Sequence, residues 1–214
     1  MIKENIEKIM REIPKGITIV AATKTRSIEE ISQAIEYGIT DIGENYVQEA
    51  EKKFSQIGRV VKWHLIGHLQ KNKVKKAIKI FDIIETVDSF ELAQEISKYT
   101  PGPYPVLIEV NSAQEPQKSG VFPQETEKLI EKISQLPNII IQGLMTMGPI
   151  VENPKDIIPY FKITRQLFES CKKIKKPNVE MKILSMGMSD TWRIAIDQGA
   201  TCIRIGTAIF GPRK

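Results

Sequence analysis

Short apolar runs rich in branched residues alternate along this chain with longer stretches whose apolar positions recur every three or four residues. The short runs are Ile17–Ala22, Thr40–Gly43, Lys62–Ile66, Ile83–Val87, Val106–Val110, Ile139–Leu144, Met181–Leu184 and Cys202–Ile205. Each is four to six residues long and predicts a β-strand. The longer stretches predict amphipathic helices. Ile28, Ile31, Ala34 and Ile35 make one apolar stripe, Leu92, Ala93 and Ile96 a second, and Leu129, Ile130, Ile133 and Leu136 a third. Ser27 precedes the first of these and Glu30 follows three residues on, the spacing of a capping box. Asp88-Ser89-Phe90-Glu91 opens the second. A further helix, Ile2–Ile13, lies ahead of the first strand and stops before Pro14, because proline disfavours helical geometry at the residue preceding it.

Strands separated by helices call for parallel βαβ units with right-handed crossovers. Eight such units in 214 residues predict a closed (β/α)8 barrel, a TIM barrel of the α/β class, with an extra N-terminal helix. The rival, an open doubly wound sheet, lacks its usual Gly-rich first turn here. A faint internal echo supports repeated units. Ala34-Ile35-Glu36-Tyr37-Gly38 leads to Thr40 as Ala195-Ile196-Asp197-Gln198-Gly199 leads to Thr201, each a helix ending on a glycine suited to a left-handed cap. The longest irregular stretch is Asn111–Gly120, and no linker divides the chain, so residues 1–214 are expected to form one domain.

Composition narrows the function classes. No apolar run approaches the ~18 residues that span a bilayer. Met1-Ile2-Lys3-Glu4-Asn5 is charged and helical rather than a signal peptide. Cys171 and Cys202 cannot build a disulfide framework, and no Cys/His spacing suggests zinc, so a reduced cytoplasmic location is expected. Lys and Arg total 31 against 26 Asp and Glu, a net charge of +5 that hints at nucleic acid or a phosphorylated small molecule as partner. The basic clusters Lys71–Lys76 and Lys172–Lys176 carry no interleaved aromatics to stack on bases, and solvated helix faces are their plainer reading.

Barrel chemistry gathers at the C-terminal ends of strands, and polar or Gly-rich segments crowd that rim. After the first strand stands Lys24, whose ammonium should reach the mouth near Arg204. There a lowered pKa would let it form an imine with an aldehyde. A solvated loop lysine is the commoner case. Ser185 and the Gly206-Thr207 pair follow the last two strands, where barrels often hold phosphate on backbone N–H groups. Simple turns, with Ser189 and Thr207 as helix caps, are an equal alternative. Arg204 alternates with Ile203 and Ile205, so it faces away from that apolar pair and needs a carboxylate or ligand. His64 is preferred as a satisfied structural residue, and Met145, Met147, Met186 and Met188 as packing around the mouth.

These segments together resemble the pyridoxal phosphate homeostasis protein family, which looks like the N-terminal barrel of alanine racemase standing alone. The likeness rests on Ala22-Thr23-Lys24-Thr25, Gly43-Glu44-Asn45-Tyr46-Val47-Gln48-Glu49, Trp63 through Lys73, Gly143-Leu144-Met145-Thr146-Met147, Ser185-Met186-Gly187-Met188-Ser189 and Arg204 through Gly211, in this order. It implies that Lys24 forms the internal aldimine with pyridoxal 5′-phosphate. It further implies phosphate contacts from Ser185, Gly206 and Thr207, with Arg204 near the pyridine nitrogen and Asn45 and His64 in the pocket. The chain departs from the family pattern at Asp190-Thr191-Trp192-Arg193, where a more acidic stretch is usual.

A permanently protonated Arg204 would keep the pyridine nitrogen unprotonated and weaken carbanion chemistry. Alanine racemase works with such an arginine but takes a tyrosine from a second domain, for which Thr207–Lys214 leaves no room. The expectation is therefore a monomeric carrier without catalytic residues that supplies cofactor to apo pyridoxal-phosphate enzymes. An amino-acid racemase is the alternative, and an RNA-binding protein a distant third.

Overall fold

A parallel sheet leaves unpaired N–H and C=O groups along its two outer strands, and this chain removes both edges by closing the sheet on itself. The computed structural model describes residues 1–212. Its strands are β1 (Thr18–Ala22), β2 (Asp41–Glu44), β3 (Lys62–Leu65), β4 (Ile83–Val87), β5 (Tyr104–Glu109), β6 (Ile139–Met145), β7 (Val179–Ser185) and β8 (Cys202–Ile205). They pair in sequential order, all parallel, and β8 returns to β1 through Ile19↔Ile203 and Val20↔Arg204. The predicted (β/α)8 barrel is the fold. The helices are α1 (Ile2–Glu12), α2 (Ile28–Glu36), α3 (Val47–Ile57), α4 (Val74–Ile80), α5 (Phe90–Tyr99), α6 (Pro123–Ile133), α7 (Ile158–Cys171), α8 (Trp192–Asp197) and α9 (Thr207–Phe210).

Local signals act as the sequence suggests. Ser27 Oγ accepts from the Glu30 N–H at 3.2 Å while the Ser27 N–H donates to Glu30 Oε2 at 2.9 Å, so the capping box forms in full. Gly38 and Gly199 both take positive φ, 99° and 90°, at the matching ends of α2 and α8. Ser89 precedes α5 but makes no side-chain cap. The largest boundary differences lie in β5 and β7, which begin two residues earlier than expected. Pro105, Glu180 and Lys182 interrupt the apolar pattern there, and backbone pairing carries the strand through them.

Side chains on a barrel strand alternate between the helices and the axis. Outward-facing Ile42, Trp63, Leu65, Ile84, Ile108, Leu144 and Ile203 join the apolar stripes of the helices in one large core. Among the described residues, the inside holds two small apolar clusters. One is Val20, Ile66 and Cys202, the other Ile83, Leu107 and Met145. Among the described residues no helix is long and apolar enough to cross a membrane.

Candidate functional site

Lys24 is half-buried in the loop between β1 and α2, and the backbone on both sides of it is tied down. Thr23 Oγ1 donates to Glu44 Oε1 at 2.6 Å. Lys53, on α3, donates to the Thr23 carbonyl at 2.6 Å, to Glu44 Oε1 at 2.6 Å and to Glu49 Oε1 at 2.7 Å. The Thr25 N–H donates to the same Glu49 oxygen at 2.6 Å, with Thr25 in the left-handed region at φ 66°. Burial raises the Glu44 pKa, and the Lys53 charge opposes that rise. Arg26 extends the restraint: its buried guanidinium donates to the carbonyls of Phe210 and Pro212 and pairs with Glu30.

The adjoining part of the rim, after β7 and β8, is built from backbone. The N–H groups of Gly206 and Ala208 both converge on Ser189 Oγ, each at 3.2 Å. The Arg204 N–H donates to the Gly187 carbonyl at 3.0 Å and locks the loop after β7 against β8. Thr207 is exposed at the start of α9 and its side chain caps nothing. Asn45 lies after β2 with its buried Oδ1 unpartnered. A Cβ on Gly67 would stand 2.3 Å from the Asn45 carbonyl, so only glycine lets these two loops touch.

Arg204 is buried beneath this rim. Its Nη1 donates to Ser185 Oγ at 2.6 Å and its Nη2 to the Thr146 carbonyl at 2.8 Å, with Met147 Sδ at 3.4 Å. Ser185 passes its own hydrogen to Glu85 Oε2 at 2.6 Å. Its hydroxyl therefore faces the barrel interior, and the hydroxyl that meets the Gly206 amide is that of Ser189. His64 sits deeper, between Glu85 Oε1 at 2.6 Å and Asp41 Oδ1 at 3.0 Å. Burial opposes its charge, but hydrogen bonds to Asp41 and Glu85 and their negative charges push its pKa up to about 9. Burial likewise works against ionised Glu85, yet His64 and Arg204 hold its pKa below the usual carboxylate range.

The structure thus brings Lys24, Asn45, Gly206 and Thr207 to one rim, and places Arg204, Ser185 and His64 below it along the axis. Sequence reasoning passed over Lys53, Glu85 and Asp41, and treated Ser189 only as a cap. It also passed over Glu109, whose Oε2 is buried without a partner. Burial and nearby Asp88 push the Glu109 pKa up to about 7, against the pull of Arg204. Glu109 lines a cavity of about 600 Å3 with Asn111, Ser112, Met147 and Met188. Of the four methionines expected at the mouth, Met186 packs in the outer core instead. In the first basic cluster Lys71, Lys75 and Lys76 are exposed, and all four lysines of the second are.

Comparison with known proteins bears on this arrangement directly. The model of the alanine racemase N-terminal domain matches residues 1–214. A protein of Aquifex aeolicus named pyridoxal phosphate homeostasis protein is 39% identical, over 99% of this chain and 95% of its own. The chain belongs to the pyridoxal phosphate homeostasis protein family. Among solved structures, PipY of Synechococcus elongatus without its ligand superposes with a TM-score of 0.92 at 31% identity, over 99% of this chain and all of PipY. PipY with PLP bound gives a TM-score of 0.90 at 30% identity over the same extent. Membership in this family accounts for the whole length of the barrel, from α1 to α9.

Proposed function

We propose that this chain binds pyridoxal 5′-phosphate at the barrel mouth, holds it covalently through Lys24 and gives it up to other enzymes. The observation that carries this reading is one rim bearing a lysine on an immobilised loop and, beside it, two amides converging on a hydroxyl. The donor set fits the group: two N–H groups and Ser189 suit a phosphate, and Asn45, after β2, keeps a buried Oδ1 without a partner. The bound cofactor supplies an electrophilic aldehyde and an electron-withdrawing ring. Gly206, Thr207 and Ser189 hold the phosphate, and Ser185 serves through Arg204. Arg204 would face the pyridine nitrogen and, being always protonated, would donate a hydrogen bond to it and leave it without a proton of its own. That arrangement disfavours strong electron-sink chemistry such as transamination and suits storage. Asn45 belongs to the pocket wall, and His64 acts from below.

The test is borohydride treatment of protein mixed with the cofactor, followed by peptide mass analysis. A stable adduct on Lys24 is expected, and Lys24→Ala should lose it. An equally stable adduct in the same pocket of the Lys24→Ala protein overturns the assignment. Solvent deuterium exchange at the α-carbon of alanine separates carrier from racemase: exchange at ordinary enzymatic rates overturns the carrier reading.

A further inference from the structure

The inside of a (β/α)8 barrel is ordinarily filled by layers of branched apolar side chains. Here Asp41 on β2, His64 on β3, Glu85 on β4, Ser185 on β7 and Arg204 on β8 form one hydrogen-bonded file along the axis. Its links are 3.0 Å from Asp41 to His64, 2.6 Å to Glu85, 2.6 Å to Ser185 and 2.6 Å to Arg204. Arg204 Nη1 is also 3.8 Å from Glu85 Oε2. The lower end, Asp41 and His64, lines a cavity at the face of the barrel opposite the mouth, with Lys62 and Lys182. The file therefore runs from one end of the barrel to the other.

Two cations, His64 and Arg204, stand against two anions, Asp41 and Glu85. Other ionisable groups face the file from neighbouring elements. Glu109 on β5 opposes Arg204, the Cys202 thiol on β8 lies near Glu85, and Lys62 on β3 acts on Asp41. In so dry a space a charge removed at one link is felt at the next.

We propose that Glu85 and His64 are positioning residues for Arg204, fixing through Ser185 the direction and the effective charge that its guanidinium presents to the bound cofactor ring. This rests on the reading that places the cofactor over Arg204. Glu85 is the buried counter-ion of the arginine, and His64 shares that anion with it. Neutralising Glu85 leaves the arginine uncompensated and disfavours a proton on the cofactor above it. Neutralising His64 leaves Glu85 to the arginine alone, which dulls its charge and favours that proton. The two substitutions thus act in opposite directions.

The experiment follows the visible absorbance of the cofactor-loaded protein against pH. Glu85→Gln should lower the midpoint of the titration by about 1 unit, and His64→Gln should raise it by roughly half as much. Asp41→Asn, at the far face of the barrel, should lower it by a smaller amount, and it stands in should Glu85→Gln fail to fold. Midpoints that stay put, or that all move the same way, overturn the proposal and leave these residues a packing role. NMR titration of His64 without cofactor gives an independent readout, with its midpoint falling at least about one unit in Glu85→Gln. A wild-type protein that forms no adduct with the cofactor overturns the cofactor reading, while a normal adduct with unmoved midpoints overturns only this inference.

Discussion

On the outside of the strands, Trp63, Leu65, Ile84 and Leu144 pack against the helices in a continuous apolar layer. One residue along the same strands, His64, Glu85 and Ser185 face the axis and form a file of charges. The two regions share a backbone and differ by one step of the side-chain alternation. The outer layer buries nearly all the large apolar side chains, so it supplies the stability. Buried ion pairs add little net stability against their desolvation, so the axis is better understood as holding Arg204 in place than as holding the barrel together.

Three substitutions would break or sharpen that contrast. Trp63→Ala removes a fully buried indole that meets Phe54 edge-on at 5.4 Å. It should lower unfolding free energy by about 3–5 kcal/mol in urea, while the cofactor midpoint stays where it was. A loss below about 1 kcal/mol would deny the outer layer its leading role. Lys53→Met leaves Glu44 and the Thr23 carbonyl without their buried partner. Breaking such a pair costs about 3 kcal/mol, placed at the low end because Glu49 retains access to water. The borohydride-fixed adduct at Lys24 should also form more slowly, and an unchanged rate would show that the clamp does not hold the loop.

Glu109→Gln has the smallest effect and depends on pH. The folded pKa of Glu109, about 7, lies above its ordinary 4.5. Between those values the folded protein keeps a proton that the unfolded chain has released, so stability falls as pH rises through this window and stays reduced above it. The glutamine variant lacks that slope and should be more stable than the wild type by about 2 kcal/mol at pH 8. His64 leaves a second slope untouched. Its contribution is complete below its ordinary 6.5 and is lost as pH rises through about 9. Denaturant titrations at several pH values separate the two, and equal slopes in both proteins below pH 7 would refute the role given to Glu109.

The barrel was legible because its strands are short apolar runs and its helices carry stripes and caps, both of which are local. The rim was legible too, through Lys24 and the glycine-bearing turns. The axis was not. In Ile84-Glu85-Thr86 a carboxylate between apolar and β-branched residues looks like ordinary alternation toward water, yet a closed barrel has no wet inner face. Arg204, Ser185 and His64 drew notice singly but not as one file, and the partners of His64 come from strands about 20 residues away on either side, at Asp41 and Glu85. Lys53 was hidden in the run Glu51-Lys52-Lys53, which suggests a solvated helix face. Its position in the stripe Val47, Ala50, Lys53 was the available signal, since all three are buried. Ser185 ends β7 and Ser189 stands four residues on in the loop that follows, and sequence alone gives no way to tell which hydroxyl turns inward.

The closure of the barrel is uneven, since β7 and β8 share a single register pair, Ser185↔Cys202, where β5 and β6 share six. Burial pushes both thiols away from their reactive form, Cys171 up to about 12 and Cys202 upward as well. Cys171 belongs to the outer layer and Cys202 to the interior. Each region thus carries its own silent clock. A thiol reagent should reach Cys202, which lines the cavity at the lower face, as that end of the barrel opens, and Cys171 as the end of α7 lifts away. Their separate rates would time the opening of the two halves of this architecture in the unmodified protein.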